Sequence, residues 1–204
     1  MVAKTRDQPT YQDQVLQLAR KGVVQTRAVK ALGIPPVVLT RMVRRGLIER
    51  VGRGLYRLAD GDLSELSTIA EVCTRVPHGV VCLLSALQIH GLGTQMPTEV
   101  WLMVDRAKWT PRIAYPPLRW IRSSGEALEH GVEERAVDGV AVRLTNPAKT
   151  VADCFKFRNK IGLDVAIEAL RDYVSESGSR DDLWEAAKVC RVTRVIRPYL
   201  EATT

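Results

Sequence analysis

Val37, Thr40, Arg41 and Arg44 stand three or four residues apart, so a helix through them turns all four side chains to one side. Together they have the chemistry to read base pairs. A guanidinium pairs bidentately with O6 and N7 of guanine, and a threonine or valine methyl packs on the thymine methyl. Downstream, Arg50, Arg53 and Arg57 surround Gly52 and Gly54, which places cations on a turn suited to phosphate or the minor groove. Thr26, Arg27, Pro36 and Arg45 flank these groups and complete a candidate duplex-binding set. The same residues could also form a plain amphipathic surface helix and a solvated turn. The order of the elements that carry them separates the two readings.

Thr26 to Leu32 predicts a short helix, and Gly33 with Ile34 a tight turn. Pro35 and Pro36 then open a second helix running to Arg45, because a first-turn N–H has no intrahelical partner for proline to lose. On that helix Leu39, Met42 and Val43 recur at i, i+3 and i+4 and should face inward, opposite the arginines. Gly46 stops it. Leu47–Val51 and Leu55–Leu58 follow as two apolar-rich runs joined by Gly52-Arg53-Gly54, a hairpin signal. Tyr11 to Lys21 adds a supporting helix that stops at Gly22, and Val23-Val24 is a candidate strand beside the hairpin. Helix, turn, helix and basic hairpin make a winged helix-turn-helix over residues 11–60, preceded by a polar, flexible arm at residues 1–10.

Charge agrees with this placement. The 204-residue chain carries a net +7, but residues 1–60 hold 12 Lys/Arg against 4 Asp/Glu, and the remainder 18 against 19. All the excess positive charge therefore lies on the segment already read as duplex-binding, where it would release counterions from phosphate. No apolar run approaches the ~18 residues of a membrane helix, and the N-terminus lacks a signal-peptide core, so a cytoplasmic protein without a membrane partner is expected. Cys73, Cys82, Cys154 and Cys190 are far apart in apolar settings, and read as buried thiols of a reducing compartment.

Composition changes at Asp60-Gly61-Asp62, the expected boundary of a second domain, residues 61–204. A helix is expected from about Ser64 to Val76, and a second, very apolar one from Leu83 to His90, central to that domain. Strands follow at Val100–Val104, Leu118–Ile121 and Val132–Val137, the last turning through Asp138-Gly139 into Val140–Leu144. Asn146-Pro147 starts a series of helices that reaches Glu201. The expected fold class is α+β: a winged helix-turn-helix, then a mixed domain with a small, largely antiparallel sheet and C-terminal helices.

Catalytic signals are lacking. His78, His90 and His130 have no metal-ligand spacing, and no phosphate-binding glycine loop or nucleophile elbow occurs. Glu99 and Asp105 flank a strand as in some nucleases, but the next strand offers no carboxylate. Asp181 and Asp182 after Gly178-Ser179 resemble a nucleotidyltransferase start, yet they open a helix as ordinary cap residues. No catalytic residue, metal or cofactor is expected. A possible second contact surface remains: Arg106, Lys108, Trp109 and Arg112 on one loop, and Lys188, Arg191, Arg194 and Arg197 at three-residue steps. Its alternatives are a solvated face, or a site for further DNA, for RNA or for an acidic protein.

RRGLIERVGRGLYRL, CLLSALQIHGLG, EVWLMVD and LTNPAKTVADCFKFRNKIGLDVAIEALRDY resemble the AbiEi antitoxin family, over about Tyr11 to Val174. Its most specific parts here are Ser85-Ala86-Leu87 with His90-Gly91-Leu92, and Asn146 to Thr150 with Asp153. The resemblance implies an antitoxin of a type IV, AbiE-type toxin–antitoxin or abortive-infection system. Its winged helix would repress the operon; the charge excess, reading helix and wing together predict the target as an inverted repeat in its own promoter, bound by two copies. Its C-terminal domain would neutralise a nucleotidyltransferase-like toxin. The alternatives are a stand-alone winged-helix regulator, a nucleic-acid enzyme targeted by its winged helix, or an RNA- or toxin-binding adaptor.

Overall fold

The computed structural model describes residues 9–60, 66–113 and 115–203. Most of the expected arm, and Gly61 and Asp62 of the expected boundary, lie outside these. Two compact units are present, Met1–Glu71 with Ala136–Val140, and Val72–Arg135 with Ala141–Thr204.

In the first unit, helix α1 (Tyr11–Ala19) starts on a reciprocal cap: Thr10 Oγ1 accepts the Asp13 N–H while the Asp13 carboxylate accepts the Thr10 N–H. That satisfies two backbone donors and stabilises by about 1 kcal/mol. Strand β1 (Val24–Gln25), α2 (Thr26–Ala31), α3 (Val37–Arg44), β2 (Ile48–Gly52) and β3 (Leu55–Leu58) follow. The sheet runs β1-β3-β2, antiparallel throughout, with a bulge between Arg50 and Gly52. This is the expected winged helix-turn-helix, and Val24 does extend the wing. Val15, Val29, Ile34, Leu39, Met42 and Ile48 form its core. The turn at Asp138-Gly139 also belongs to this unit, which was not expected. The Asp138 carbonyl accepts the Val23 N–H at 2.8 Å, and a Cβ on Gly22 (φ +133°) would stand 1.9 Å from that oxygen. Only glycine fits there.

The second unit begins within α4 (Ser67–Arg75) and continues through β4 (Val80–Val81) and α5 (Leu83–His90). After these come β5 (Val100–Asp105), β6 (Leu118–Ser123), the one-turn α6 (Glu126–Glu129), β7 (Val132–Val137) and β8 (Val140–Thr145). Helices α7 (Pro147–Lys156), α8 (Arg158–Ile161), α9 (Leu163–Ser175), α10 (Arg180–Cys190) and α11 (Thr193–Ala202) complete the chain. Strand order is β6-β5-β4-β8-β7.

The sheet corrects one expectation: it is mixed rather than largely antiparallel. β4 and β5 pair antiparallel, but β5 with β6, and β4 with β8, run parallel. The loop between β5 and β6, residues 106–117, has the length of about a dozen residues that a parallel return needs. β5 is buried from Val100 to Val104, which accounts for its unbroken apolar run where a one-sided strand would alternate.

α5 and α7 are the innermost helices. Leu83, Ala86, Leu87 and Ile89 of α5 are buried, and Gly91 ends the helix in the left-handed conformation at φ 71°. All residues from Ala148 to Phe155 of α7 are buried. Asn146 caps it, its Oδ1 accepting the Lys149 N–H at 2.8 Å, and Pro147 occupies the first turn. Lys149 and Asp153, one turn apart and both wholly buried, form an ion pair at 2.5 Å. The Cys190 thiol donates to the other Asp153 oxygen at 3.2 Å.

Candidate nucleic-acid interface

α3 has the division its sequence predicts. Leu39 and Met42 are 1% exposed and Val43 is half-buried, while Pro36, Val37, Thr40, Arg41, Arg44 and Arg45 are exposed. Val37 leaves half of its surface to solvent, so its methyls are open to contact with a thymine methyl. The helix carries no acidic residue to neutralise its arginines. Arg41 and Arg44 lie in the last turn, where the helix dipole favours cations.

The flanking groups divide by what they already hold. Thr26 donates both its backbone N–H, at 2.8 Å, and its hydroxyl, at 3.2 Å, to the Gly54 carbonyl. It therefore ties the start of α2 to the wing turn, and Arg27 beside it is exposed. Arg45 donates to Gln12 Oε1 at 3.1 Å, bracing α3 against α1. On the wing Arg53 is exposed at the tip. Arg50 folds back on the Gly52 carbonyl at 3.0 Å. Arg57 lies directly across from Glu49 and pairs with it. Its charge is thus partly spent, while Arg53, Arg41 and Arg44 have no carboxylate paired to them among the described residues. The sequence could have shown this: Glu49 and Arg57 are at matching positions in a hairpin centred on Arg53.

The features set aside as weak catalytic signals have structural partners. Glu99 pairs with Arg119 at 2.9 Å, and Arg119 also lies over the Trp101 ring at 5.6 Å. Asp105, at the far end of β5, accepts the Ala107 N–H. Six residues of extended chain hold the two carboxylates about 20 Å apart. Ser179 caps α10 through the Asp182 N–H. His90 Nε2 lies 2.7 Å from the Thr145 carbonyl and so carries the proton. Burial pulls its pKa below the usual 6.5, against the bond to Thr145. The C-terminus of α5 favours a cationic imidazole, and burial opposes it.

All four cysteines are buried free thiols. Burial pushes Cys73 and Cys190 up to about 12, and Cys82 and Cys154 well above the ordinary 9. No helix among the described residues is long and apolar enough to cross a membrane.

Of the second surface, Arg106, Lys188 and Arg191 line one cleft of the second unit. Lys108, Trp109, Arg112, Arg194 and Arg197 are exposed but do not line it. Trp109 is 77% exposed, and Arg197 lies over the Trp184 ring at 5.3 Å. Arg122 and Lys156 join the cleft unforeseen.

Comparison with curated protein sequences finds no match. Among solved structures the chain resembles the RV2827C protein from Mycobacterium tuberculosis. The TM-score is 0.59 and identity 14%, covering 98% of this chain and 79% of that one, a likeness of fold. Residues 13–59, which include most of α1 and run to the end of β3, match the model of a family described as transcriptional regulator, AbiEi antitoxin. That match covers under a quarter of the chain, and the likeness to AbiEi antitoxins and transcriptional regulators is a property of this segment.

Proposed function

We propose that the protein is an antitoxin and DNA-binding autorepressor of a toxin–antitoxin operon in the cytoplasm, and has no enzymatic activity. One observation carries the DNA-binding part: an exposed stripe of Val37, Thr40, Arg41 and Arg44 on a helix free of acidic residues, beside a wing tipped by Arg53. α3 enters the major groove of the protein's own promoter and the wing lies on phosphate. Two copies occupy an inverted repeat. The family match supports the regulatory role; the second unit is assigned the neutralisation of a nucleotidyltransferase-like toxin.

Gel-shift titration on the upstream region tests this. Arg41→Ala or Arg44→Ala should each cost about 1–3 kcal/mol and relax base preference. Arg53→Ala should weaken binding to every sequence and flatten its salt dependence. If the Arg41→Ala/Arg44→Ala protein retained its full affinity and selectivity, α3 would not be the reading helix. Co-expression with the toxin tests the second role, since the Arg41→Ala/Arg44→Ala protein should protect cells without repressing a promoter reporter. The match ends at residue 59, which favours a second reading, a stand-alone regulator. A nucleotidyltransferase-like gene beside this one would decide against it.

A further inference from the structure

A cleft of about 520 Å³ opens in the second unit, between the end of β6, α6, the end of α7 and the end of α10. Five cations line it: Arg106, Arg122, Lys156, Lys188 and Arg191. Against them, among the described residues, stands one carboxylate, Glu126. Residues 61–204 together hold 18 Lys/Arg against 19 Asp/Glu, so this is a local concentration.

Arg122 is held in place without being neutralised. Its guanidinium donates to the carbonyls of Asp105 and Lys108 and to the Thr110 hydroxyl, all uncharged acceptors. Two of its five N–H groups remain. Lys188 shares its charge with Glu185 at 2.6 Å, but Arg106 and Arg191 are exposed with no carboxylate paired to them among the described residues. Neutral and apolar groups complete the lining: Ser123, Ser124 and the partly buried Phe157. At the base the Cys190 thiol is committed to Asp153 and, pushed up to about 12 by burial, is no nucleophile. A concave site of this size, with convergent cations and an apolar portion, fits a small ligand carrying several negative charges. A nucleic-acid track would instead spread its cations along the surface.

We infer that this cleft is a binding site for a nucleoside polyphosphate, its phosphates held by Arg106, Arg122 and Arg191 and its base against the apolar side at Phe157. The site shares no residue with the DNA-reading set and does not depend on that assignment.

Isothermal titration of the full-length protein with ATP, GTP, pyrophosphate and adenosine tests it. ATP or GTP and pyrophosphate should bind, and adenosine should not. Arg106→Ala and Arg191→Gly should each weaken binding about tenfold, the loss of one charge-assisted hydrogen bond. Both side chains are exposed, and Arg191 lies at φ +59°, where glycine is at ease, so neither change should lower the urea midpoint. Lys188→Gln, also exposed, provides a third variant. Arg41→Ala/Arg44→Ala should leave nucleotide binding unchanged while abolishing promoter binding, which keeps the two assignments apart. Three results would overturn the inference: no binding by ATP, GTP or pyrophosphate; binding indifferent to Arg106 and Arg191; or binding of oligonucleotides alone that depends on those arginines. The last would make the cleft part of a nucleic-acid surface.

Discussion

Lys149→Met should destabilise the protein by about 4 kcal/mol at pH 7, and the deficit should shrink as the solution is made acidic. Lys149 and Asp153 are wholly buried and joined at 2.5 Å, and among the described residues the only other group bonded to the carboxylate is the Cys190 thiol. Without the ammonium, a buried carboxylate is more costly than a buried acid, so Asp153 takes up a proton. Holding an ordinary carboxyl, with a value near 3.9, protonated at pH 7 costs about 4 kcal/mol, and at pH 5 only about 1.5. This agrees with the roughly 3–5 kcal/mol found on breaking buried pairs. Asp153→Asn should show the opposite slope. It leaves a buried lysine that must stay neutral, at a cost of about 4–5 kcal/mol at pH 7 that diminishes toward alkaline pH. Replacing both, Lys149→Met with Asp153→Leu, should recover most of the loss. Urea denaturation followed by tryptophan fluorescence at pH 5, 7 and 9 measures all three, with Trp101 in the core as reporter. Equal deficits at every pH, or a double variant as unstable as the worse single one, would refute the argument.

Other outcomes follow from the same core. Stability should fall steeply above pH 9: the buried thiols keep their protons in the fold and lose them in the unfolded chain, at up to about 1.4 kcal/mol per pH unit for each cysteine. Alkaline unfolding of a Cys73→Ala protein should show a shallower slope. Lys149 acts in the same direction at higher pH. Burial lowers its pKa, but Asp153 more than reverses this, so its contribution is complete below 10.5 and is lost above. His90, with its pKa lowered mainly by burial, contributes stability that is full above 6.5 and lost as pH falls through its folded value. His90→Gln should remove that acid-side slope in a pH series of urea midpoints. Asn146→Ala deletes the cap of α7 and should cost about 1 kcal/mol by thermal unfolding, more if the Lys149 N–H is left without an acceptor.

Much of the fold was legible because its signals are local. Pro35-Pro36 before α3, Asp138-Gly139 between β7 and β8, Ser179 before α10 and Asn146-Pro147 before α7 each set one backbone transition through their own chemistry, and the elements formed there. The two-sided α3 was legible for the same reason, since helical spacing alone separates Leu39 and Met42 from Arg41 and Arg44. β4 was not. Two buried valines leading into an apolar helix have no period by which a strand could be recognised. Nor does alternation carry strand direction, so the parallel pairings of β5 with β6 and β4 with β8 came only with the assembled sheet.

The sequence by itself determined most of the longer helices and strands, which face of α3 is apolar, and where the positive charge is concentrated. Those properties depend on neighbours within a turn or two of chain. Tertiary structure alone decided which charges remain available. Glu49 takes up Arg57 across the wing, Asp153 takes up Lys149 inside the second unit, and Arg122 is fixed by loop carbonyls. It also brought Arg106 beside Lys188 and Arg191, from distant parts of the chain, to line one cleft. A charge's effect depends on its distance from other charges and on the water around it, and both are set only when the elements pack.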